Sequence, residues 1–147
     1  MTASTMQVSI VSQEARIYSG LATMLVASGV MGDLGIAPRH APLLTVLRPG
    51  PVRIIKPEGE EEVIYVSGGI LEIQSSEVTI LADTVVRGAE LDEEDANRAK
   101  ALAEKQILGH HGSDPSLSYG AHAELASAVG MLRTIKEIKR TIAKSRK

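Results

Sequence analysis

The sequence predicts an α+β protein: an N-terminal antiparallel β-sandwich over residues 1–89, then a C-terminal antiparallel two-helix hairpin over residues 90–147. Three observations predict it. Residues 6–87 consist of short β-branched or alternating runs parted by turn residues, with no helical stretch among them. The pattern changes at Gly88-Ala89-Glu90, after which apolar residues recur at helical spacing. Finally, a chain of 147 residues, 44% hydrophobic, can fill one core and carry a small appendage.

The strands come first. Met6-Gln7-Val8-Ser9-Ile10-Val11 alternates apolar and polar side chains, the pattern of a half-buried strand. Pro51-Val52-Arg53-Ile54-Ile55-Lys56 and Glu62-Val63-Ile64-Tyr65-Val66-Ser67 are β-branched runs, and Pro57-Glu58-Gly59-Glu60-Glu61 between them predicts a hairpin turn with an acidic tip. Ile70-Leu71-Glu72-Ile73-Gln74 and Glu77-Val78-Thr79-Ile80-Leu81 form a second hairpin around Ser75-Ser76, and Asp83 to Arg87 ends the sheet. Short strands this closely spaced suit an antiparallel sandwich or barrel and leave no room for βαβ units.

In the helical part, Asp92 is an N-cap, and Glu93, Glu94 and Asp95 complement the positive end of the first helix. Ala96, Ala99, Leu102, Ala103 and Ile107 follow at helical spacing, and Gly109 is a C-terminal stop. A second helix is expected from about Tyr119 to Lys144, with Leu125, Val129, Leu132, Ile135, Ile138 and Ile142 on one face. Arg133, Lys136, Arg140 and Lys144 fall nearly opposite, and from Met131 onward there are seven basic residues against one acid, Glu137. Both helices are rich in alanine, which favours helix but buries little area. The hairpin is therefore expected to dock weakly and to be able to move.

Composition excludes several functions. The chain has no cysteine, hence no disulfide, thiolate nucleophile or Cys-ligated metal. Three tyrosines are its only aromatic residues and the net charge is -2, which fits neither base stacking nor general polyanion binding, so no nucleic-acid partner is expected. No apolar run approaches the ~20 residues of a membrane helix. The N-terminus lacks the basic start and apolar stretch of a signal peptide.

Candidate chemical sites are sparse. His40 with Asp33 is a conceivable acid–base pair, but no Gly-x-Ser-x-Gly elbow accompanies it, and a loop or interface role fits His40 better. His110 and His111, even with Asp114 and His122, make an incomplete metal set. Ser67-Gly68-Gly69 lacks the lysine of a phosphate loop and precedes a strand, so it reads as a tight crossing that needs small residues. We expect no catalytic residue, no metal and no cofactor. The basic face of the last helix reads as a solvated surface, a membrane-surface helix or a site for an acidic protein.

Gly32-Asp33-Leu34-Gly35-Ile36-Ala37-Pro38-Arg39-His40-Ala41-Pro42-Leu43-Leu44 resembles the Gly-(Glu/Asp)-x-Gly-Ile-x-Pro-Gly-His-x-Pro-Leu-Leu signature of the epsilon subunit of bacterial F-type ATP synthase. That family includes the chloroplast epsilon and mitochondrial delta subunits. Leu47-Arg48-Pro49-Gly50, Tyr65-Val66-Ser67-Gly68-Gly69-Ile70-Leu71-Glu72 and Val78-Thr79-Ile80-Leu81-Ala82-Asp83 match later family segments in order and spacing. Two positions depart. Arg39 stands where the family usually has glycine, which costs energy if the turn needs φ > 0. Asp95 stands where nucleotide-binding members carry arginine, in Leu91-Asp92-Glu93-Glu94-Asp95-Ala96, which reverses the charge beside a triphosphate.

The resemblance implies a non-catalytic rotor subunit on the cytoplasmic face of the bacterial inner membrane, reaching the membrane only through its complex. The sandwich would hold the gamma subunit and rest on the c-ring, with Asp33, Gly35 and His40 at that contact. The helical tail would restrain ATP hydrolysis by extending along gamma to the alpha/beta ring. Arg133, Lys136, Arg140 and Lys144 would then meet acidic beta-subunit segments. The Asp95 substitution implies weak ATP binding or none.

Overall fold

A computed structural model describes residues 4–109 and 115–147, with the side chains of all of these but 115–118. Ten strands come first: β1 (Met6–Ser12), β2 (Arg16–Ala22), β3 (Met24–Gly29), β4 (Gly32–Ile36), β5 (Leu43–Leu47), β6 (Gly50–Ile55), β7 (Glu61–Val66), β8 (Gly69–Ile73), β9 (Glu77–Ala82) and β10 (Val85–Arg87). A short 3-10 turn (Gly88–Glu90) leads to helices α1 (Glu93–Gly109) and α2 (Pro115–Ser145).

The strands hydrogen-bond in the order β10-β7-β6-β3-β5-β8-β9-β1-β2, with β4 paired to β3. Between β3 and β5 only Gly29 and Leu47 pair, so the path folds there into two layers. Side chains from both layers fill one core, including Val8, Ile10, Leu25, Ile36, Ile54, Ile64, Leu71 and Ile80, each at most 1% exposed. The alternation that predicted the strands decides which side chains enter it. In β8, Leu71 and Ile73 point inward while Ile70 and Glu72 point out.

The sandwich is antiparallel except at one place. β1 runs parallel to β9, with Val8 opposite Val78 and Ile10 opposite Ile80. Parallel neighbours need a long connection, usually a helix. Here the other strands supply that connection, so the pair needs no βαβ unit and local pattern does not reveal it.

Two of the crossings that carry the chain between layers run through glycine. At Ser67-Gly68-Gly69, between β7 and β8, both glycines have positive φ (+122° and +144°). A Cβ on Gly69 would stand 2.1 Å from the Leu81 carbonyl oxygen, so the crossing admits no side chain there. Arg48-Pro49-Gly50, between β5 and β6, is the second crossing, and α2 rests on it. The open ends of the sheet, β10 and β2, are joined by a side chain: Arg87 donates to the Ile17 carbonyl at 2.8 Å.

Asp92 caps α1 as expected, its Oδ1 accepting the backbone N–H groups of Glu94 (2.9 Å) and Asp95 (3.1 Å). α2 begins at Pro115, earlier than the expected Tyr119, at a position proline suits. The residues buried on α1 are Ala96 and Ala103; on α2 they include Ala121, Ala128 and Ile135, at the same seven-residue spacing. Of the six residues expected on the apolar face of α2, only Ile135 is buried, while Val129 and Ile142 stay 37% and 47% exposed. α2 packs on two sides, against α1 and against β6 and β7, so its buried surface is wider and less apolar than one stripe predicts.

Candidate functional site

The sandwich-facing side of α2 is built mainly from small and polar residues, with Ile138 among them. Gly130 lets the helix backbone press on the Pro49–Gly50 crossing; a Cβ there would lie 2.7 Å from the Pro49 carbonyl carbon. Thr134 is fully buried and satisfies its hydroxyl within the helix, donating to the Gly130 carbonyl at 2.8 Å. Tyr65, buried on β7, places its hydroxyl 2.7 Å from Ser127 Oγ. Burial pushes the Tyr65 phenol above its ordinary range, against the opposing effect of the Ser127 hydrogen bond. Gly88 leaves room for Ile138, whose Cδ1 would lie 2.6 Å from an added Cβ.

Charges surround this seam. Glu61 on β7 accepts from Arg53 Nη2 (3.3 Å) and Thr141 Oγ1 (3.3 Å), and Lys144 Nζ lies 3.6 Å away. Burial alone would raise the Glu61 pKa. The Arg53 charge and hydrogen bond, then Lys144 and Thr141, outweigh burial and hold it below the ordinary glutamate value. Arg53 Nε faces Glu137 Oε2 at 3.9 Å, and neither buried atom has a hydrogen-bond partner among the described residues. Beside this pair lies a cleft of about 550 Å³ lined by Arg53, Arg133, Lys136 and Arg140 against Asp33 and Glu137.

The residues singled out in the sequence fall into two groups, one on β4 and the turn after it and one on α2; of these Asp33, Arg133, Lys136 and Arg140 line the cleft. Asp33 on β4 is 57% exposed and pairs with Arg48 (3.3 Å) and with Arg133 of α2 (3.6 Å). Gly35, also on β4, pairs with Val26 and is exposed, with Met24 Cε 3.1 Å from where a Cβ would stand. His40 closes the turn after β4: its backbone N–H donates to the Ala37 carbonyl (3.2 Å), and its Nδ1 lies 2.8 Å from the Ala41 carbonyl. Asp33 and His40 thus have separate partners and are not joined as an acid–base pair. Arg39, between them in sequence, has φ of +65°, so the turn does adopt the left-handed conformation the departure from glycine raised.

On α2, Arg133 and Lys144 are held by Asp33 and Glu61, and Arg140 reaches Glu137 in its own helix at 3.6 Å. Lys136 is exposed and has no carboxylate within ion-pair distance among the described residues. The basic stripe is therefore partly a docking surface for the sandwich. Lys139, outside the stripe, ties α2 to Glu93 of α1 at 2.6 Å. Asp95 pairs with Arg98 one turn along α1. His110 and His111 lie outside the described residues.

A surface the sequence reading missed lies on the outer face of the second layer. The pairings Val46–Ile70, Ile70–Leu81 and Val11–Leu81 place four apolar side chains in one row across β5, β8, β9 and β1. Val46, Ile70 and Leu81 are 53%, 44% and 54% exposed. Leu44, two positions along β5, is 70% exposed. The signal was present: these are apolar residues at outward positions of strands whose inward positions are already apolar.

Residues 5–88 match the family described as ATP synthase, Delta/Epsilon chain, beta-sandwich domain. The chain belongs to the ATP synthase delta/epsilon family. The match covers the whole sandwich of this delta/epsilon chain and stops where the helices begin. Similar folds occur in two solved assemblies. One is a chain of the Euglena gracilis mitochondrial ATP synthase, OSCP/F1/c-ring in rotational state 1, at TM-score 0.79 and 17% identity, covering 87% of this chain and 79% of that one. The other is a chain of the Tetrahymena thermophila mitochondrial ATP synthase central stalk/c-ring, at TM-score 0.63 and 14% identity, covering 92% and 99%. Both coverages of this delta/epsilon chain exceed what its sandwich alone can supply, so the shared fold includes helical tail. No helix described in the chain is long and apolar enough to cross a membrane.

Proposed function

We propose that this chain is a non-catalytic rotor subunit of a bacterial F-type ATP synthase. Its sandwich couples the gamma subunit to the c-ring, and its helical hairpin restrains ATP hydrolysis. It works on the cytoplasmic face of the membrane and touches the membrane only through the complex.

The observation that carries the regulatory part is how α2 docks. Its contacts with the sandwich are mostly Ser127, Gly130, Thr141 and ion pairs, with Ile138 against Gly88 as a large apolar side chain among them. Burying small and polar groups stabilises little, so docking is a shallow state that a partner can outbid. Leu102, Leu108, Tyr119, Val129 and Ile142 stay exposed on the docked hairpin and offer apolar surface to gamma. Released, Arg133 and Lys144 join Lys136 as free cations for acidic beta-subunit segments.

The sandwich offers two surfaces for coupling. The row of Val11, Leu81, Ile70 and Val46 suits a standing apolar contact, and we assign it to gamma. Asp33 marks the polar corner we assign to the c-ring, with Gly35 beside it on β4 and His40 in the turn that follows. Asp95, with its charge spent on Arg98, favours a tail controlled by protein contacts rather than by bound ATP.

The test is removal of residues after Gly109 from the assembled complex. Assembly intact with faster ATP hydrolysis is the expected result. A fully assembled truncated complex with unchanged hydrolysis contradicts the inhibitory role.

A further inference from the structure

Asp33 is claimed from two sides. Arg48 belongs to the sandwich and reaches Asp33 Oδ1 at 3.3 Å; Arg133 belongs to the tail and reaches the same oxygen at 3.6 Å. Arg133 is held further by donating to Ser28 Oγ at 3.3 Å, and Ser28 is the residue opposite Asp33 in the β3–β4 pair. Its guanidinium is also packed, since a Cβ on Gly50 would meet Arg133 Nη1 at 3.1 Å. Asp33 itself is 57% exposed, so a group from outside can reach it while the tail is docked.

Two guanidiniums already share one unit of negative charge. A third cation arriving at Asp33 meets a site that is net positive, and its approach is repelled by Arg133 while it is drawn by the carboxylate. Arg48 is fixed to the sandwich near β5, but Arg133 can leave with α2. The cheapest way to admit the newcomer is to let the tail go. Lys136, Arg140 and Arg53 line the same cleft and add to the repulsion; Glu137 offsets part of it.

We propose that Arg133 links tail docking to occupation of the Asp33 corner: a cationic group of the c-ring that engages Asp33 favours release of α2, and a docked α2 weakens that engagement. The inference rests on the reading that Asp33 faces the c-ring. By linkage the two effects are equal in size and opposite in direction of travel. The pair is partly exposed, so the coupling is modest, about two- to five-fold, and fades as salt rises.

The full chain has no cysteine, so one introduced at Gln13 and one at Glu124, both exposed, can carry spin labels that report the docked fraction. Purified c-ring in detergent is the probe. Added ring should lower the docked fraction of the labelled chain. Arg133→Gln should bind the ring about two- to five-fold more tightly and show less docking without it. Asp33→Asn separates the two ideas. If it weakens ring binding while Arg133→Gln binds as the parent does and the ring leaves docking unchanged, the linkage is wrong and the Asp33 contact stands. If Asp33→Asn binds the ring undiminished, the contact itself is wrong and the linkage falls with it.

Discussion

The sandwich and the hairpin bury different chemistry. In the sandwich the large, fully enclosed side chains are Ile, Leu and Val, drawn from both layers into one core, and Tyr65, which faces α2. In the hairpin they are Ala96, Ala103, Ala121, Ala128, Thr134 and, alone among larger aliphatics, Ile135. Fully burying a Leu or Ile stabilises by about 1.5–3 kcal/mol, whereas a methyl group brings about 0.8 kcal/mol. One region is a body that holds its shape, and the other is an attachment that the body holds lightly. On the proposed function, the same difference would separate a coupling from a brake.

The comparison is broken most strongly by carving the core. Leu71→Ala removes a fully buried side chain from β8 and should cost about 2–5 kcal/mol, read as a lower denaturant midpoint with the helices lost alongside. Next comes Gly130→Ala. Its new methyl meets the Pro49–Gly50 backbone, which cannot swing aside, so docking should weaken by about 1–3 kcal/mol. Alanine also favours helix over glycine. Helix content by circular dichroism should therefore hold while α2 separates from the sheet, and the sandwich should keep its own stability.

Lowering pH acts on the seam through Glu61. Its folded pKa lies below its ordinary value of 4.5, so its contribution is fully present above that value and is lost as pH falls through the lower folded one. Docking should weaken across that acid window as Arg53, Thr141 and Lys144 lose their anion. Glu61→Gln should dock less at neutral pH and show a flatter acid response. The smallest effect is at Arg39. Replacing it by glycine relieves a left-handed residue of φ +65°, but adds freedom to the unfolded chain, for a net gain of up to about 1 kcal/mol in thermal unfolding.

Much of the sandwich was legible because its signals are local. The two hairpins, the Gly68–Gly69 crossing and the Asp92 cap each follow from a few adjacent residues. The Arg39 turn was legible as a departure from a family pattern. The stretch from Arg16 to Leu47 read as strand without boundaries, since β2 to β5 meet at turns only one to six residues long. The parallel β1–β9 pair was hidden because it joins residues about 70 apart in the chain. The docking face of α2 was hidden for another reason. Ser127, Gly130, Thr134 and Thr141 carry no apolar periodicity, so a search for hydrophobic stripes looks past them. Asp33 and Arg133 each stand out in the sequence, but nothing in their spacing puts them together.

The most direct measurement is native-state hydrogen exchange on the full chain. If the hairpin is a lightly held attachment, amides of α1 and α2 exchange through an opening much cheaper than the one that exposes β8 and β9, and Gly130→Ala makes that opening cheaper still. Equal protection in helices and core strands, all lost in one global unfolding event, would contradict the division into fixed coupling and movable brake.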